Sequence, residues 1–270
     1  MSFVTFQLRA AVICVVAAAV CGAAPPARAQ DDERPPAPPS SSAHAEPPAL
    51  SAPRPNADAL YRRGAEQFRA GRYGESAELF RQVARSRPDV AEVRFYLGMA
   101  LYRQRKYAEA AAAYREAVKL KPDYASAHVF LGNSLDHDGR YDEAVAAYRQ
   151  ASRVAPSAPE PHYEVGVAHF NRGRHEEAAA AFRQAARLRP LWAAAHFNLG
   201  HAERRLGRWD AAAAAYGEAA RLRPDHAEAL YHLGLAHVER GDAEAAALAE
   251  QQLRALSPEL ADRLLARTRK

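Results

Sequence analysis

From residue 57 onward, the hydrophobic pattern of the chain repeats at an interval of 34 residues. One series of glycines keeps this interval: Gly64, Gly98, Gly132, Gly166, Gly200 and Gly234. One series of prolines keeps it as well: Pro88, Pro122, Pro156, Pro190, Pro224 and Pro258. Two independent series with one period predict tandem copies of a single structural unit.

Each unit is predicted to be a pair of helices joined by a short turn. In the unit 91–124, Leu97 and Leu101 lie at helical spacing on one side of a first helix. Ala110 and Tyr114 share one face of a second helix. The second helix is expected to end before the proline of the unit, because proline cannot continue a helix.

A second glycine series marks the predicted turn between the two helices. These turn glycines are Gly71, Gly139, Gly173, Gly207 and Gly241. Glycine suits the end of a helix, since it adopts the left-handed conformation without steric cost. Arg105 stands at this place in the unit 91–124.

The glycines inside the first helices (the helix glycines, Gly64 to Gly234 in steps of 34) need a structural cause. A glycine within a helix costs about 1 kcal/mol relative to alanine. We expect the second helix to approach the first closely there. The small residues expected to face the helix glycines are Ser76, Ala110, Ala144, Ala178, Ala212 and Ala246. An aromatic ring follows four residues later at Phe80, Tyr114, Tyr148, Phe182 and Tyr216, so that small and large side chains alternate.

Several segments resemble the consensus of the tetratricopeptide repeat family. They are Phe197-Asn198-Leu199-Gly200, Tyr141-Asp142-Glu143-Ala144 and Leu222-Arg223-Pro224. The resemblance covers residues 57–258 and implies an all-α fold, a right-handed α-solenoid whose first helices line a concave groove. It also implies a function in protein–protein recognition, scaffolding or assembly.

The resemblance divides this part of the chain into six repeats. Their expected bounds are 57–90, 91–124, 125–158, 159–192, 193–226 and 227–260. The last repeat departs from the pattern, with Glu250 in place of the aromatic residue and Ala243 at the start of its second helix. Residues 259–270 are predicted to form a capping helix with Leu260, Leu264 and Leu265, because a terminal repeat lacks a neighbour on one side.

The N-terminal residues 1–29 match a secretory signal peptide. Arg9 precedes an uncharged apolar stretch, and Ala27-Arg28-Ala29 predicts cleavage after Ala29. A retained membrane anchor is the alternative, although the apolar stretch is shorter than the roughly 20 residues that a spanning helix needs. Residues 30–56 are rich in proline and serine and are predicted to be a disordered linker. A periplasmic or secreted location follows.

Composition argues against several function classes. The net charge is only +5 and arginines are scattered through every repeat, so a nucleic-acid interface is not expected. Both cysteines, Cys14 and Cys21, lie in the predicted signal peptide. No catalytic constellation, phosphate loop or metal motif is evident, and histidines such as His128 and His196 are interpreted as packing residues. The protein is therefore expected to have no enzymatic activity, no cofactor and no bound metal.

A candidate binding surface follows from helical spacing within the first helices. The residues three before, one after and four after each helix glycine share one face. We call this face the inner stripe and include His137, which directly follows Asp136. The candidate partner-binding residues of the stripe are Tyr61, Phe68, Phe95, Met99, Tyr102, Asn133, Asp136, His137, Tyr163, Phe170, Phe197, His201 and Tyr231. An aromatic groove suits an extended peptide or a helix. The alternative is that many of these aromatic residues only support the scaffold, and that Asn133, Asp136 and His137 form an ordinary solvated patch.

The sequence thus predicts an exported scaffold or adaptor that binds peptide or protein segments in its groove, within a bacterial cell-envelope complex. An accessory subunit of an envelope enzyme, or a carbohydrate-binding module that stacks sugars on the aromatic residues, is the alternative. The family's carboxylate-clamp mode is not expected, because Val129 stands where that mode places a lysine.

Overall fold

The computed structural model describes residues 55–268. The predicted signal peptide and nearly all of the predicted linker lie outside the described residues. Thirteen helices make up this part of the chain. The first six are α1 (Pro55–Arg69), α2 (Tyr73–Ser86), α3 (Ala91–Arg103), α4 (Tyr107–Leu120), α5 (Ala125–His137) and α6 (Tyr141–Val154). The other seven are α7 (Pro159–Asn171), α8 (His175–Leu188), α9 (Ala193–Arg205), α10 (Trp209–Leu222), α11 (Ala227–Glu239), α12 (Ala243–Leu256) and α13 (Pro258–Thr268).

These helices pack in chain order as successive hairpins. Each odd-numbered helix from α1 to α11 pairs with the even-numbered helix that follows it, and that helix packs against the next hairpin. The last helix, α13, packs against both α11 and α12. The predicted all-α solenoid of helical hairpins is confirmed. Among residues 55–268, no helix combines the length and the apolar character needed to cross a membrane.

The turns within the hairpins follow the predicted glycine series. All five turn glycines have positive φ angles, between 71° and 81°. Arg105 takes the same place in the α3–α4 turn with a φ of 62°. For a residue with a Cβ, this left-handed conformation costs about 1–2 kcal/mol. The turn geometry is therefore a property of the unit, and the α3–α4 hairpin adopts it without glycine.

The close approach at the helix glycines is confirmed, and the aromatic ring of the second helix comes nearest to the glycine. A Cβ built on Gly98 would lie 2.7 Å from the ring of Tyr114, and one on Gly200 would lie 2.7 Å from the ring of Tyr216. The nearest atoms therefore belong to the aromatic ring of the second helix, and not to the alanine series. The small residue of the series also reaches the first helix at one place, where the Ser76 hydroxyl donates a hydrogen bond of 2.9 Å to the Gly64 carbonyl oxygen.

The last hairpin is completed by a residue from outside it. Glu250 stands where the other hairpins carry an aromatic ring. The side chain nearest to Gly234 is that of Leu264 in α13, which is fully buried. The predicted capping helix therefore inserts a leucine into the space that an aromatic residue fills elsewhere.

Exposed ion pairs link several neighbouring second helices. Arg81 of α2 lies 3.0 Å from Glu109 of α4, and Arg115 of α4 lies 2.9 Å from Glu143 of α6. Such exposed pairs each contribute about 0.2–1 kcal/mol. In α8, Arg183 instead pairs with Glu203 of α9, whose side chain is almost completely buried.

Candidate functional site

The inner stripe divides into buried and partly exposed residues. Eight of its predicted binding residues are buried: Tyr61, Phe95, Met99, Asn133, Asp136, Phe170, Phe197 and His201. Four are half-buried, namely Phe68, Tyr102, Tyr163 and Tyr231, and His137 is exposed. Only the partly exposed residues offer side-chain area to a partner on the surface as it stands. Contact between the stripe and a partner stays a prediction.

The buried aromatic residues of the stripe pack within and between hairpins. The ring of Tyr61 lies 5.6 Å from that of Phe80, at an interplanar angle of 70°. The ring of Phe95 lies 5.6 Å from that of Tyr114 and 4.9 Å from that of Tyr124. Edge-to-face and tilted pairs at these distances stabilise a core. These side chains therefore hold the first helices in place.

Two polar residues of the stripe form a hydrogen bond with a tyrosine of the same hairpin. The Tyr148 hydroxyl donates a hydrogen bond of 2.7 Å to the side-chain oxygen of Asn133. In the equivalent place two hairpins later, the Tyr216 hydroxyl lies 2.9 Å from Nδ1 of His201. Both stripe residues immediately follow a helix glycine, where the tyrosine ring of the same hairpin comes close. This pairing is visible in the sequence. The hairpins with a polar residue directly after the helix glycine carry Tyr, and not Phe, at the aromatic position of the second helix.

Tyr114 lacks the partner that its two counterparts have. Met99 occupies the place of Asn133 and His201 in the α3–α4 hairpin. The Tyr114 side chain is fully buried, and its hydroxyl has no hydrogen-bond partner. Burial raises the pKa of Tyr114 well above its ordinary value. An unpaired buried hydroxyl costs about 1–3 kcal/mol.

The predicted polar patch on α5 is not a single open surface. Asn133 and Asp136 are buried, whereas His137 is exposed. The His137 ring stacks on Tyr107 with centroids 4.5 Å apart and an interplanar angle of 12°. It also meets Tyr102 edge-on at 5.5 Å. The structure therefore brings His137 and Tyr102 together, and places Asn133 in the core.

The half-buried tyrosines of the later hairpins have defined neighbours. The Tyr163 hydroxyl accepts a hydrogen bond of 2.7 Å from the side-chain amide of Asn198, and its ring lies 4.6 Å from that of Trp192. The guanidinium carbon of Arg263 in α13 lies 5.2 Å from the centroid of the Tyr231 ring. Both rings are therefore fixed in orientation while part of each remains exposed.

Three tyrosines at the start of second helices, Tyr73, Tyr107 and Tyr141, were not assigned a role from the sequence. Each of these three rings is covered by an arginine or a histidine of the next hairpin. The guanidinium carbon of Arg103 lies 4.9 Å from the Tyr73 centroid, and that of Arg172 lies 4.0 Å from the Tyr141 centroid. His137 covers Tyr107 in the same way. Such cation–π contacts contribute about 0.5–1 kcal/mol at exposed sites.

Two histidines near the C-terminal end of the stripe, His201 and His232, are withdrawn from water and lie near arginines. Burial lowers the pKa of His201 well below its ordinary value, and lowers the pKa of His232 to about 3. Both side chains are therefore uncharged at neutral pH. Within residues 55–268, no group of three or more histidine, cysteine, aspartate or glutamate side chains is arranged to hold a metal ion.

A shallow cavity of about 530 Å³ lies away from the stripe. It is lined by Gly207, Arg208, Trp209, Asp210, Ala211 and Arg240, at the turn of the α9–α10 hairpin and the end of α11. Arg240 is engaged there by Asp210, at 2.6 Å. None of its lining residues belongs to the predicted binding set.

Comparison with known proteins identifies the repeat. A family model for the tetratricopeptide repeat matches residues 61–125, 131–191 and 197–261. The chain belongs to the tetratricopeptide repeat family. No curated protein sequence matched the chain.

Solved structures of tetratricopeptide repeat proteins share the fold. YrrB, described as a protein with an unusual peptide-binding site, is 21% identical with a TM-score of 0.61, covering 70% of this chain and 99% of YrrB. PilF of Pseudomonas aeruginosa is 19% identical with a TM-score of 0.62, covering 78% of this chain and 96% of PilF. MamA of Desulfovibrio magneticus RS-1 is 22% identical with a TM-score of 0.59, covering 64% of this chain and 97% of that chain. At these identities the likeness concerns the fold alone.

Proposed function

We propose that this tetratricopeptide repeat protein is an exported scaffold that binds a protein segment along the inner stripe of its first helices. The observation that carries the proposal is the repeat array itself, which fills the described part of the chain from α1 to α13. Peptide binding in a solved relative of the same fold, YrrB, supports this class of function.

The burial pattern narrows the surface that a partner would contact. Phe68, Tyr102, Tyr163 and Tyr231 are half-buried, and His137 is exposed beside Tyr102. Aromatic side chains that are held in one orientation and remain partly exposed make effective interface anchors, because they lose little conformational entropy on binding. Our proposal therefore assigns partner contact to these residues and a supporting role to the buried stripe residues.

The proposed organisation has four parts. Residues 1–29 would act as a cleaved signal peptide and residues 30–56 as a linker. Residues 57–258 would form six repeats, followed by the cap at 259–270. This arrangement would present the array outside the cytoplasm, in a complex of a bacterial cell envelope. Proline-rich linkers are extended, which supports the role of residues 30–56 as a spacer.

Site-specific cross-linking tests the proposed surface. A photo-reactive amino acid placed at Tyr102 or Tyr231 is expected to form a discrete protein adduct in intact cells. The control is the same amino acid placed at Leu120, which is 42% exposed at the end of a second helix. Adducts from position 120 alone, or from no position, would contradict the proposed groove.

Export has a separate test. The intact mass of the protein recovered from cells is expected to correspond to a chain that begins at Gln30. A species that retains residues 1–29 in the membrane fraction would support the membrane-anchor alternative, and one in the cytoplasm would refute export.

A further inference from the structure

Two histidines of neighbouring first helices pack against each other: His201 of α9, which is buried, and His232 of α11, which is half-buried. Their ring centroids lie 4.7 Å apart, and His201 is only 2% exposed. The His232 ring also stacks on Tyr216, with centroids 5.4 Å apart and an interplanar angle of 21°. Nε2 of His201 and Nδ1 of His232 have no hydrogen-bond partner. We call these two residues the histidine pair.

The groups that face the histidine pair are cationic or neutral. They are Arg204 and Arg205 of α9, Tyr216 of α10, His226 immediately before α11, and Arg263 of α13. Burial is the largest cause that lowers the pKa of both histidines, and Arg204 and His226 lower both further. A proton on the pair would therefore be buried next to other positive charges.

This environment keeps the pair neutral only while α9 and α11 stay packed. When the joint opens, each imidazole reaches water and recovers an ordinary pKa near 6.5. Because the pKa of each histidine is lower in the packed state than in the open state, protons bind preferentially to the open state. The stability that the neutral pair contributes is therefore complete above pH 6.5 and is lost as the pH falls below that value.

We propose that the histidine pair is an acid-sensitive latch between α9 and α11. In neutral solution the uncharged rings pack between the two helices. In acid, protonation favours a state in which α11, α12 and α13 have separated from α9 and α10, while the hairpins that precede α9 remain packed. The latch goes beyond the proposed binding function and does not depend on it.

One other joint shows that the same packing does not need a titratable group. At the joint between the α3–α4 and α5–α6 hairpins, the corresponding side chains are Met99 and Phe130. Neither side chain binds a proton. The Phe130 ring stacks on Tyr114 there, with centroids 5.8 Å apart and an interplanar angle of 26°, as His232 stacks on Tyr216. The ring stacking is thus the same at the two joints, but the α3–α5 joint has Met99 and Phe130 where the α9–α11 joint has two histidines.

Opening of the latch would change the C-terminal end of the inner stripe. Phe197 and His201 lie on the α9 side of the joint, and Tyr231 lies on the α11 side. Separation of the two helices would move Tyr231 away from Phe197. If the stripe binds a protein segment, acid would therefore release that segment at this end first.

Hydrogen exchange of the full chain, read by mass spectrometry, tests the latch. Protection of α11–α13 is compared with protection of α3–α4 in the same sample, so that the effect of pH on the intrinsic exchange rate cancels. For His232 alone, a pKa difference from 6.5 to about 3 predicts that opening becomes about thirtyfold more favourable at pH 5.0 than well above pH 6.5. Equal loss of protection in both regions, or in neither, would overturn the proposal.

The chain itself supplies a matched variant without the titratable groups. His201→Asn copies Asn133, which accepts a hydrogen bond from Tyr148, and His232→Phe copies Phe130. The double variant is expected to keep α11–α13 protected at pH 5.0. The control His128→Asn, at a histidine whose ring contacts the Pro122 carbonyl, is expected to leave the acid response unchanged. An acid response in the double variant equal to that of the wild type would refute the latch.

A direct measurement covers the case in which the double variant does not fold. Nuclear magnetic resonance of the wild-type histidine rings is expected to show His201 and His232 uncharged at pH 5.5 in the packed state. Protonation of both rings at that pH, with α11 still protected from exchange, would overturn the proposal.

Discussion

The hairpins α9–α10 and α11–α12 fill the space beside their helix glycines with different parts of the chain. Gly200 lies against Tyr216 of its own hairpin, whereas Gly234 lies against Leu264 of α13. In the last hairpin, Glu250 takes the place of the aromatic residue and forms an ion pair with Arg254. The difference shows that the space beside the helix glycine is filled in both hairpins. The side chain that fills it can come from the second helix of the same hairpin or from another helix.

Loss of Leu264 tests this comparison most severely. Leu264→Ala is expected to destabilise the last hairpin by about 3 kcal/mol, because it removes a fully buried side chain and leaves a cavity beside Gly234. Hydrogen exchange of α11 and α12 would report the loss. Leu256→Ala is the control, since Leu256 is 44% exposed and its truncation should change stability by less than about 0.5 kcal/mol. Equal effects of the two substitutions would show that α13 does not complete the hairpin.

A rescue experiment sharpens the same comparison. Glu250→Phe restores an aromatic residue to the last hairpin and is expected to recover about 1–2 kcal/mol in the Leu264→Ala background. In the wild-type background the new ring would compete with Leu264, and overpacking should destabilise the hairpin by about 1–3 kcal/mol. Thermal unfolding of the four proteins forms a double-mutant cycle. Additive effects would mean that the two side chains do not occupy the same space.

A second pair of regions, the α3–α4 and α5–α6 hairpins, separates ring packing from hydrogen bonding. Tyr148→Phe should destabilise the protein by about 1–2 kcal/mol, because the buried oxygen of Asn133 loses its donor. Tyr114→Phe should be neutral or stabilising by up to about 1 kcal/mol, because its hydroxyl has no partner. Urea unfolding would measure both. A larger loss for Tyr114→Phe than for Tyr148→Phe would contradict the assignment.

The smallest expected effect concerns the turns of the same two hairpins. Arg105→Gly should stabilise the α3–α4 hairpin by about 1 kcal/mol, because the φ of 62° suits glycine better than arginine. The converse change, Gly139→Ala, should destabilise the α5–α6 hairpin by about 1 kcal/mol at a φ of 81°. Thermal unfolding would register both shifts. A destabilising effect of Arg105→Gly would mean that its side chain makes a compensating contact.

The periodic pattern was sufficient to predict the fold. The turn glycines and the prolines marked the helix ends, and α4 ends at Leu120, before Pro122, as expected. The contacts between units were harder to predict, since they depend on how far a ring reaches. The helix glycines were expected to face alanines, but the rings of Tyr114 and Tyr216 come nearer. Likewise, the leucines of the tail predicted a helix without indicating that Leu264 would meet Gly234.

The candidate site was predicted less completely than the fold. Helical spacing correctly placed Asn133 and His201 on one face of their helices, but it could not show that a tyrosine of the same hairpin would cover them. Spacing within one helix contains no information on the depth of a side chain beneath the next hairpin. His201 and His232 lie 31 residues apart, so their pairing depends on the stacking of two hairpins and not on any local motif.

The position of Leu264 beside Gly234 also bears on how such a chain can change length in evolution. Each hairpin from α1–α2 to α9–α10 covers its helix glycine with its own aromatic ring, whereas the helix glycine of the last hairpin is covered by Leu264 of α13. Duplication or deletion of one interior 34-residue segment would therefore leave every remaining helix glycine covered. The array can thus gain or lose whole 34-residue units, while α13 continues to cover the helix glycine of the last hairpin.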